Sequence, residues 1–375
     1  AGAAVCAPAR SCLMTGQHTG HTRVRNNSSS VGGVPPQGRV PLLDEDVTVA
    51  EVLKSAGYAT GITGKWGLGE PNTTGVPNRQ GFDEWYGFLN QRHAHTYYPE
   101  YIWKGEEMQI VWGNMGGYER QWIHDDFTTF GLDFIRQHRE EPFFLYMAYT
   151  NPHGKYEVPD DKPYSDRDWP DDAKKYAAMV TRLDTDVGAM LALLKELNID
   201  ERTLVFFCSD NGATFTRPPF NSAGPLRARK GSLYEGGIRV PMIARWPGRI
   251  APGQLSDQPW AFWDFLPTAA ELAGAESPKE IDGVSMVPAL LDGKRVDREF
   301  LYWETPSKGY CQAVRQGPWK AVRIGWGKPL ELYNLDEDIG EQNNVAAKQP
   351  ELVAKLEDDM KSSHTDSEHW PVPKR

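Results

Sequence analysis

Two nearly uninterrupted apolar runs, PFFLYMAYT (142–150) and TLVFFCS (203–209), constrain this chain more than any other feature. A strand with one wet face alternates apolar and polar residues. A run apolar throughout needs cover on both faces, as strands have in α/β sheets. Between the runs lies DDAKKYAAMVTRLDTDVGAMLALLKEL (171–197). There Tyr176, Val180, Leu183, Val187, Met190, Leu191 and Leu194 make an apolar stripe at helical spacing, and Asp171 and Asp172 suit the first turn. A second helix is predicted at DDFTTFGLDFIRQHR (125–139) and a further strand at YATGIT (58–63). This alternation predicts the α/β class with a sheet covered on both sides.

The end of the chain has a different rhythm. FLYWE, CQAVRQG, WKAVRIG and ELYNL are short strand-like runs separated by Gly, Pro and charges, which predicts a small antiparallel unit. The boundary is placed near Gly293, giving 1–293 as the main domain and 294–375 as the C-terminal unit. The closing stretch SSHTDSEHWPVPKR is polar and is expected to be loosely ordered. The opening AGAAVCAPAR has neither an initiator Met nor a signal-peptide pattern, so the chain reads as N-terminally incomplete.

Chemistry gathers at the carboxyl ends of strands in α/β sheets. YATGIT is followed by Gly64-Lys65-Trp66, PFFLYMAYT by Asn151-Pro152-His153, and TLVFFCS by Asp210-Asn211-Gly212. Each alone has an ordinary reading: Asp-Asn-Gly is a turn, and a lysine or histidine after a strand is a loop residue. Arrival at equivalent positions makes a shared site the better reading. The net charge of -10 argues against a general nucleic-acid binder, and no apolar run is long enough to span a membrane. Yet residues 1–43 hold Arg10, Arg23, Arg25 and Arg39 without an acid, and 211–234 hold Arg217, Arg227, Arg229 and Lys230 without one. A basic site on an acidic protein points to a small anionic group.

The segment VCAPARSCLMTG (5–16) carries the pattern C-x-P-x-R, with Pro8 suited to a first helical turn whose N–H groups would face an anion. Cys6 is open to three readings: a buried structural thiol, a thiolate nucleophile at a helix N-terminus, or the precursor of another nucleophile. The four cysteines show no zinc-ligand spacing.

The segment CAPARSCLMTG resembles the signature of the type I sulfatases, whose cysteine is oxidised to formylglycine. GKWGLG (64–69), QGFDEWYGF (80–88), NPH (151–153), SDNG (209–212), PLRARKGSLYEGGIRVPMIARWPG (225–248) and ELYNLDEDIGEQNN (331–344) resemble further motifs of that family, in order. The resemblance implies an alkaline-phosphatase-like α/β/α sandwich with a small C-terminal antiparallel subdomain. It implies a formylglycine made from Cys6 by a formylglycine-generating enzyme and a Ca²⁺ or Mg²⁺ on Asp210 and Asn211. Arg10 would hold the hydrated aldehyde, Lys65 and Lys230 would bind sulfate, and His153 would be the general acid or a sulfate ligand. A periplasmic or secreted location is also implied.

Two departures from the family pattern matter. An N-terminal strand ending in Asp-Asp, which supplies two more metal ligands, does not precede Cys6, so the chain as given is expected to hold the metal poorly. The lysine motif usually has a histidine two residues after the lysine, where this chain has Gly67. In NQRHAHTYYP (90–99), His95 is the expected replacement and His93 the alternative. Tyr97, Tyr98, Trp103, Trp112 and Trp122 would offer flat surfaces to a sugar. The reaction expected is hydrolysis of an organic sulfate monoester on a sulfated carbohydrate. The alternatives are a phosphonate or phosphate ester hydrolase on the same scaffold, and an inactive sulfated-glycan-binding remnant.

Overall fold

The computed structural model describes residues 1–35 and 38–374. The chain opens with helix α1 (Cys6–Thr15), followed by α2 (Val49–Ser55) and strand β1 (Ala59–Lys65). Glycine stops α1: Gly16 takes φ 70° in the left-handed region and donates its N–H to the Cys12 carbonyl. A reciprocal cap starts α2, with Thr48 Oγ1 accepting from the Glu51 amide and the Glu51 carboxylate accepting from the Thr48 amide.

Next come β2 (Glu84–Phe88), β3 (Tyr101–Lys104), β4 (Glu107–Ile110), α3 (Ile123–Gln137) and β5 (Phe143–Ala148). These strands form one mixed sheet in the order β4-β3-β2-β1-β5, with β1 parallel to both β2 and β5. The end of β1 is thus placed between the turn after β2 and the turn after β5, and Lys65 lies opposite Phe88. Gly61 on β1 lets α3 lie close, since a side-chain carbon there would sit 2.6 Å from the Phe134 ring.

The long helix α4 (Asp171–Glu196) follows, then β6 (Val205–Cys208), the short α5 (Glu235–Ile238), β7 (Met242–Arg245), α6 (Phe265–Ala273) and α7 (Val287–Asp292). A four-stranded antiparallel sheet comes next, built from β8 (Leu301–Thr305), β9 (Cys311–Gln316), β10 (Trp319–Arg323) and β11 (Glu331–Asn334) in the order β11-β10-β9-β8. The C-terminal helix is Pro350–Ser362.

The main core joins Ala7 and Met14 of α1, the inner face of α2, Ile62, Trp66, Phe82 and Trp85 around β1 and β2, and Leu266 and Ala270 of α6. Alpha-1 is buried at nine of its ten positions, which its small residues permit. One face of the C-terminal sheet shares a second core with Ala4, Cys12, Leu233, Tyr234, Ile238 and Trp263. Its other face is closed by Leu356 and Met360 of the C-terminal helix. Buried Lys320 on β10 ties the sheet to α5, with its Nζ 2.8 Å from Glu235 and 2.9 Å from Glu341.

Three expectations need correction. The run TLVFFCS is not buried on both faces: among the described residues β6 pairs only with β7, Phe206 packs on Phe265, and Phe207 on the other side is 41% exposed. The predicted stripe of α4 holds only in part. Leu194 is buried with Met190 and Leu191 packed beside it, but Val180 is exposed, while Ala173, Ala177, Met179 and Asp186 are buried. Asp186 is turned inward, where its carboxylate sits 2.7 Å from buried His124 Nε2. The polar tail is docked rather than loose. Trp370 is buried with its Nε1 donating to the Arg23 carbonyl, and Arg25 donates to Thr365.

Candidate active site

The sequence places Cys6 at the first turn of α1, and the fold puts that turn where the β1, β5 and β6 ends meet. Cys6 is 1% exposed, with Lys230 Nζ 3.1 Å and Asn211 Nδ2 3.9 Å from its Sγ. Burial alone would push the Cys6 thiol up. Lys65, a hydrogen bond from His153 and Lys230 outweigh it, with Asp210 opposing, and bring it down to about 5. Cys12, one turn and a half later, is fully buried with its thiol on the Gly2 carbonyl, and burial drives it up.

Helix polarity does less here than the sequence suggested. The Ala7 amide is taken by Asn27 Oδ1 at 2.9 Å, Pro8 has no N–H, and the Ala9 amide returns to the Val5 carbonyl. The Ala7 and Ala9 amides are committed within the protein, so the positive charge gathered at the site is that of its side chains.

Arg10, one turn into α1, is 3% exposed and held on three sides. Its Nε donates to the Trp66 carbonyl at 2.6 Å, Nη1 to Asp210 Oδ2 at 3.2 Å, and Nη2 to Gln91 Oε1 at 2.5 Å. Lys65 is buried at the β1 end, and burial, with Arg10 and Lys230 nearby, brings it down to about 8 against the opposing pull of Cys6 and Asp210. Asp210 resists the upward push of its own burial because Lys230, Arg10, Lys65 and His153 hold its carboxylate below the ordinary range. Trp66 anchors the neighbouring turn: its ring is buried, packs edge-on against Phe82, and donates Nε1 to the Gly75 carbonyl.

His153 follows β5. Its Nδ1 hydrogen-bonds the Gly154 carbonyl, which can only accept, so Nδ1 carries a proton and Nε2 is left for the pocket. His95 lies parallel to this ring, with centroids 4.3 Å apart. Burial, together with Lys65, His153 and Lys230, drives His95 down to about 3, so it is neutral at physiological pH. His93 turns the other way. It stacks on Tyr101 at 4.1 Å and meets Phe88 edge-on at 4.9 Å, which makes it a core residue. Asn90 fixes this split by accepting from the Arg92 and His93 amides, starting the turn that separates the two rings.

Cys6, Arg10, Lys65, His95, His153, Lys230, Asp210 and Asn211 therefore share one pocket. Four other arginines of the two acid-free stretches are engaged elsewhere. Arg23 pairs with Glu45 and Asp46, Arg25 with Glu304, Arg217 with Asp172, and Arg227 binds Tyr333 and the Glu341 carbonyl. Nearness in sequence is not nearness in space for charges on loops. The aromatic expectation also divides. Tyr97 and Trp122 are buried and brace the His153 loop, with the Tyr97 hydroxyl donating to the Thr150 and His153 carbonyls and Trp122 Nε1 to that of Glu157. Trp112 is 80% and Tyr118 60% exposed, so the open rings sit on the loop after β4.

Sequence reasoning missed Gln91. Gly67 has φ 76°, and a side-chain carbon there would lie 2.5 Å from Gln91 Oε1 and 2.9 Å from Arg10 Nη2. The only signal in the sequence was the vacancy at 67; nothing local says that a glutamine from another turn fills it.

A metal is implied by the motif, and the donor set suits a hard cation. Asp210 offers an ionised carboxylate and buried Asn211 an amide beside Cys6. Both stand on one turn, after β6.

Comparison with known proteins gives the family. The Sulfatase family profile matches residues 1–275, and that of N-sulphoglucosamine sulphohydrolase, C-terminal, matches 229–366. The N-acetylgalactosamine-6-sulfatase of Canis lupus familiaris is 31% identical over 403 residues, covering 98% of this chain and 70% of that protein. Arylsulfatase A of Bos taurus is 32% identical over 393 residues, covering 95% and 72%. The crystal structure of Ps i-CgsB in complex with k-i-k-neocarrahexaose is similar with a TM-score of 0.85 and 28% identity, over 100% of this chain and 85% of that one. The fold, the pocket and these matches together make the chain a member of the sulfatase family, the sulfuric ester hydrolases.

Proposed function

We propose that this protein hydrolyses a sulfate monoester on a sulfated carbohydrate, using a formylglycine made from Cys6 by a formylglycine-generating enzyme. The observation that carries the reading is the convergence of two lysines, an arginine and two histidines on the buried Cys6. The trigonal-bipyramidal transition state at sulfur, with negative charge spread over its oxygens, needs such a set.

Formylglycine would supply a hydrated aldehyde, with one hydroxyl to take the sulfo group from the leaving alcohol and the other to release it as sulfate and return the aldehyde. A Ca²⁺ or Mg²⁺ held by Asp210 and Asn211 would add positive charge beside the sulfate oxygens. The chain's own groups do the rest. Lys230, 3.1 Å from Cys6 Sγ, and Lys65 bind sulfate oxygens where charge builds. Arg10, fixed by Trp66, Gln91 and Asp210, orients the group at position 6. His153, its Nδ1 proton tied to Gly154, gives a proton from Nε2 to the leaving alcohol when it enters the step as the imidazolium, and is left as the neutral Nδ1–H ring. Neutral His95, stacked on that ring, donates an N–H to a sulfate oxygen from the side where Gly67 offers nothing.

Support for a carbohydrate comes from the relatives named for N-acetylgalactosamine-6-sulfate and from the structure complexed with neocarrahexaose. The exposed rings of Trp112 and Tyr118 would suit sugar faces. A periplasmic or secreted location is proposed from the family resemblance; no helix among the described residues is long and apolar enough to cross a membrane.

The test uses the full-length protein co-expressed with a formylglycine-generating enzyme. Mass spectrometry of the Cys6 peptide should give the aldehyde, and sulfated saccharides should be turned over far faster than phosphate or phosphonate esters. Faster phosphoester turnover would replace the reaction. Glycan binding without turnover, in protein carrying the aldehyde, would replace the enzyme with a binding protein.

A further inference from the structure

The turn after β2 supplies the pocket with a second group besides His95. Gln91 is 1% exposed and its Oε1 accepts from Arg10 Nη2 at 2.5 Å. Its Nε2 is equally buried and has no hydrogen-bond partner among the described residues. Amides of this kind are assigned by their network, and the Arg10 donor leaves only one orientation, with the oxygen toward the guanidinium.

Gln91 also fits one specific vacancy. Gly67 lies against it, and a side-chain carbon at 67 would strike Gln91 Oε1 at 2.5 Å and Arg10 Nη2 at 2.9 Å. Position 67 and position 91 therefore compete for the same volume beside the guanidinium. Arg10 has three anchors: the Trp66 carbonyl and Asp210, which come from the backbone and from the proposed metal turn, and Gln91. Of these, Gln91 is the one whose job is available only because residue 67 is glycine.

We propose that Gln91 is a positioning residue for the hydrolysis, aiming the Arg10 guanidinium at position 6 from the space that Gly67 leaves open. The proposal rests on the sulfatase reading for the reaction and on the pocket geometry for the residue. Arg10 acts on the attacking group rather than on the bound ester, so losing its aim lowers kcat and leaves KM nearly unchanged.

Four variants test it, each carried through mass spectrometry of the Cys6 peptide and a thermal melt. Gln91→Met keeps the volume and removes the acceptor, and should lower kcat about 10- to 100-fold with KM within about threefold. Gln91→Glu keeps an acceptor toward Arg10, so kcat should stay within about threefold while KM rises, because a carboxylate now sits beside an anion site. Gly67→Asn suits the left-handed backbone at 67 and should be harmful where Gln91 is present. In a Gln91→Ala background the same Gly67→Asn change should raise kcat above that of Gln91→Ala alone, since it returns an amide to the vacated space. The fall in kcat at unchanged KM in Gln91→Met, together with the kcat kept in Gln91→Glu, would not arise from a merely structural role.

Wild-type kcat in Gln91→Met, loss of kcat in Gln91→Glu, or one sign for Gly67→Asn in both backgrounds overturns the proposal. Should Gln91→Met fail to fold, the Gln91→Glu result and the Gly67 pair decide. Wild-type protein is first assayed on sulfate and phosphate monoesters, and the variants follow on whichever ester turns over. Absence of sulfate turnover then rejects the substrate reading, whereas turnover without dependence on Gln91 rejects this one.

Discussion

Removing a single oxygen from Tyr97 would separate two roles for an aromatic residue near an active site. The ring is fully buried against Trp122 and Met179. Its hydroxyl, 2.8 Å from the Thr150 carbonyl and 3.1 Å from that of His153, holds the turn that carries His153. Tyr97→Phe keeps the packing, takes the hydroxyl from the His153 carbonyl and leaves the Thr150 carbonyl with the His153 amide alone, which costs about 1–3 kcal/mol. Unfolding entropy of about 2.1 cal/mol/K per residue over 375 residues is about 0.8 kcal/mol/K, so Tm should fall by about 1–4 °C. The larger effect is geometric. His153 loses the brace beneath its own carbonyl, and misplacing a proton donor by a fraction of an ångström should lower kcat about tenfold. KM for a sulfated saccharide should stay within about twofold, because no atom of Tyr97 is open to the pocket. Differential scanning fluorimetry and steady-state kinetics on the full-length protein measure both. A severalfold rise in KM with kcat and Tm kept would refute the argument and return Tyr97 to a sugar-facing role.

Two further outcomes follow from the same geometry. Asp210→Asn keeps an oxygen for Arg10 but removes the charge, so the purified protein should retain much less Ca²⁺ or Mg²⁺ by elemental analysis, and unchanged metal content would exclude this residue as a ligand. Burial holds His18 down to about 4 from its ordinary 6.5, with Asp282 opposing. As pH falls from about 6.5 to 4 the unfolded ring gains a proton that the folded ring refuses, so stability drops across that window. His18→Gln should flatten unfolding free energy against pH there, and an unaltered slope would show that another group governs acid sensitivity.

What the sequence alone determined is the chemistry that neighbouring residues carry together. The pattern C-x-P-x-R, the lysine after YATGIT, NPH after PFFLYMAYT and SDNG after TLVFFCS each travel with a local strand end or helix start. Their elements formed where local signals predicted, the helix Cys6–Thr15 from Pro8 and the strands Ala59–Lys65, Phe143–Ala148 and Val205–Cys208 from apolar runs. Such features are short-range, so a single stretch of chain specifies them. What only the tertiary structure decided is who meets whom across long separations. It sorted His95 from His93, which share one turn but face opposite sides of it. It gave Arg10 to the pocket and Arg25 to a buried pair with Glu304, although both lie in one acid-free stretch. It made Tyr97 a brace, and it filled the gap at Gly67 with a glutamine 24 positions later in the chain. Charge and volume complementarity act through space, and the spacing of residues along a chain does not encode which distant side chain will fill a hole or neutralise a charge.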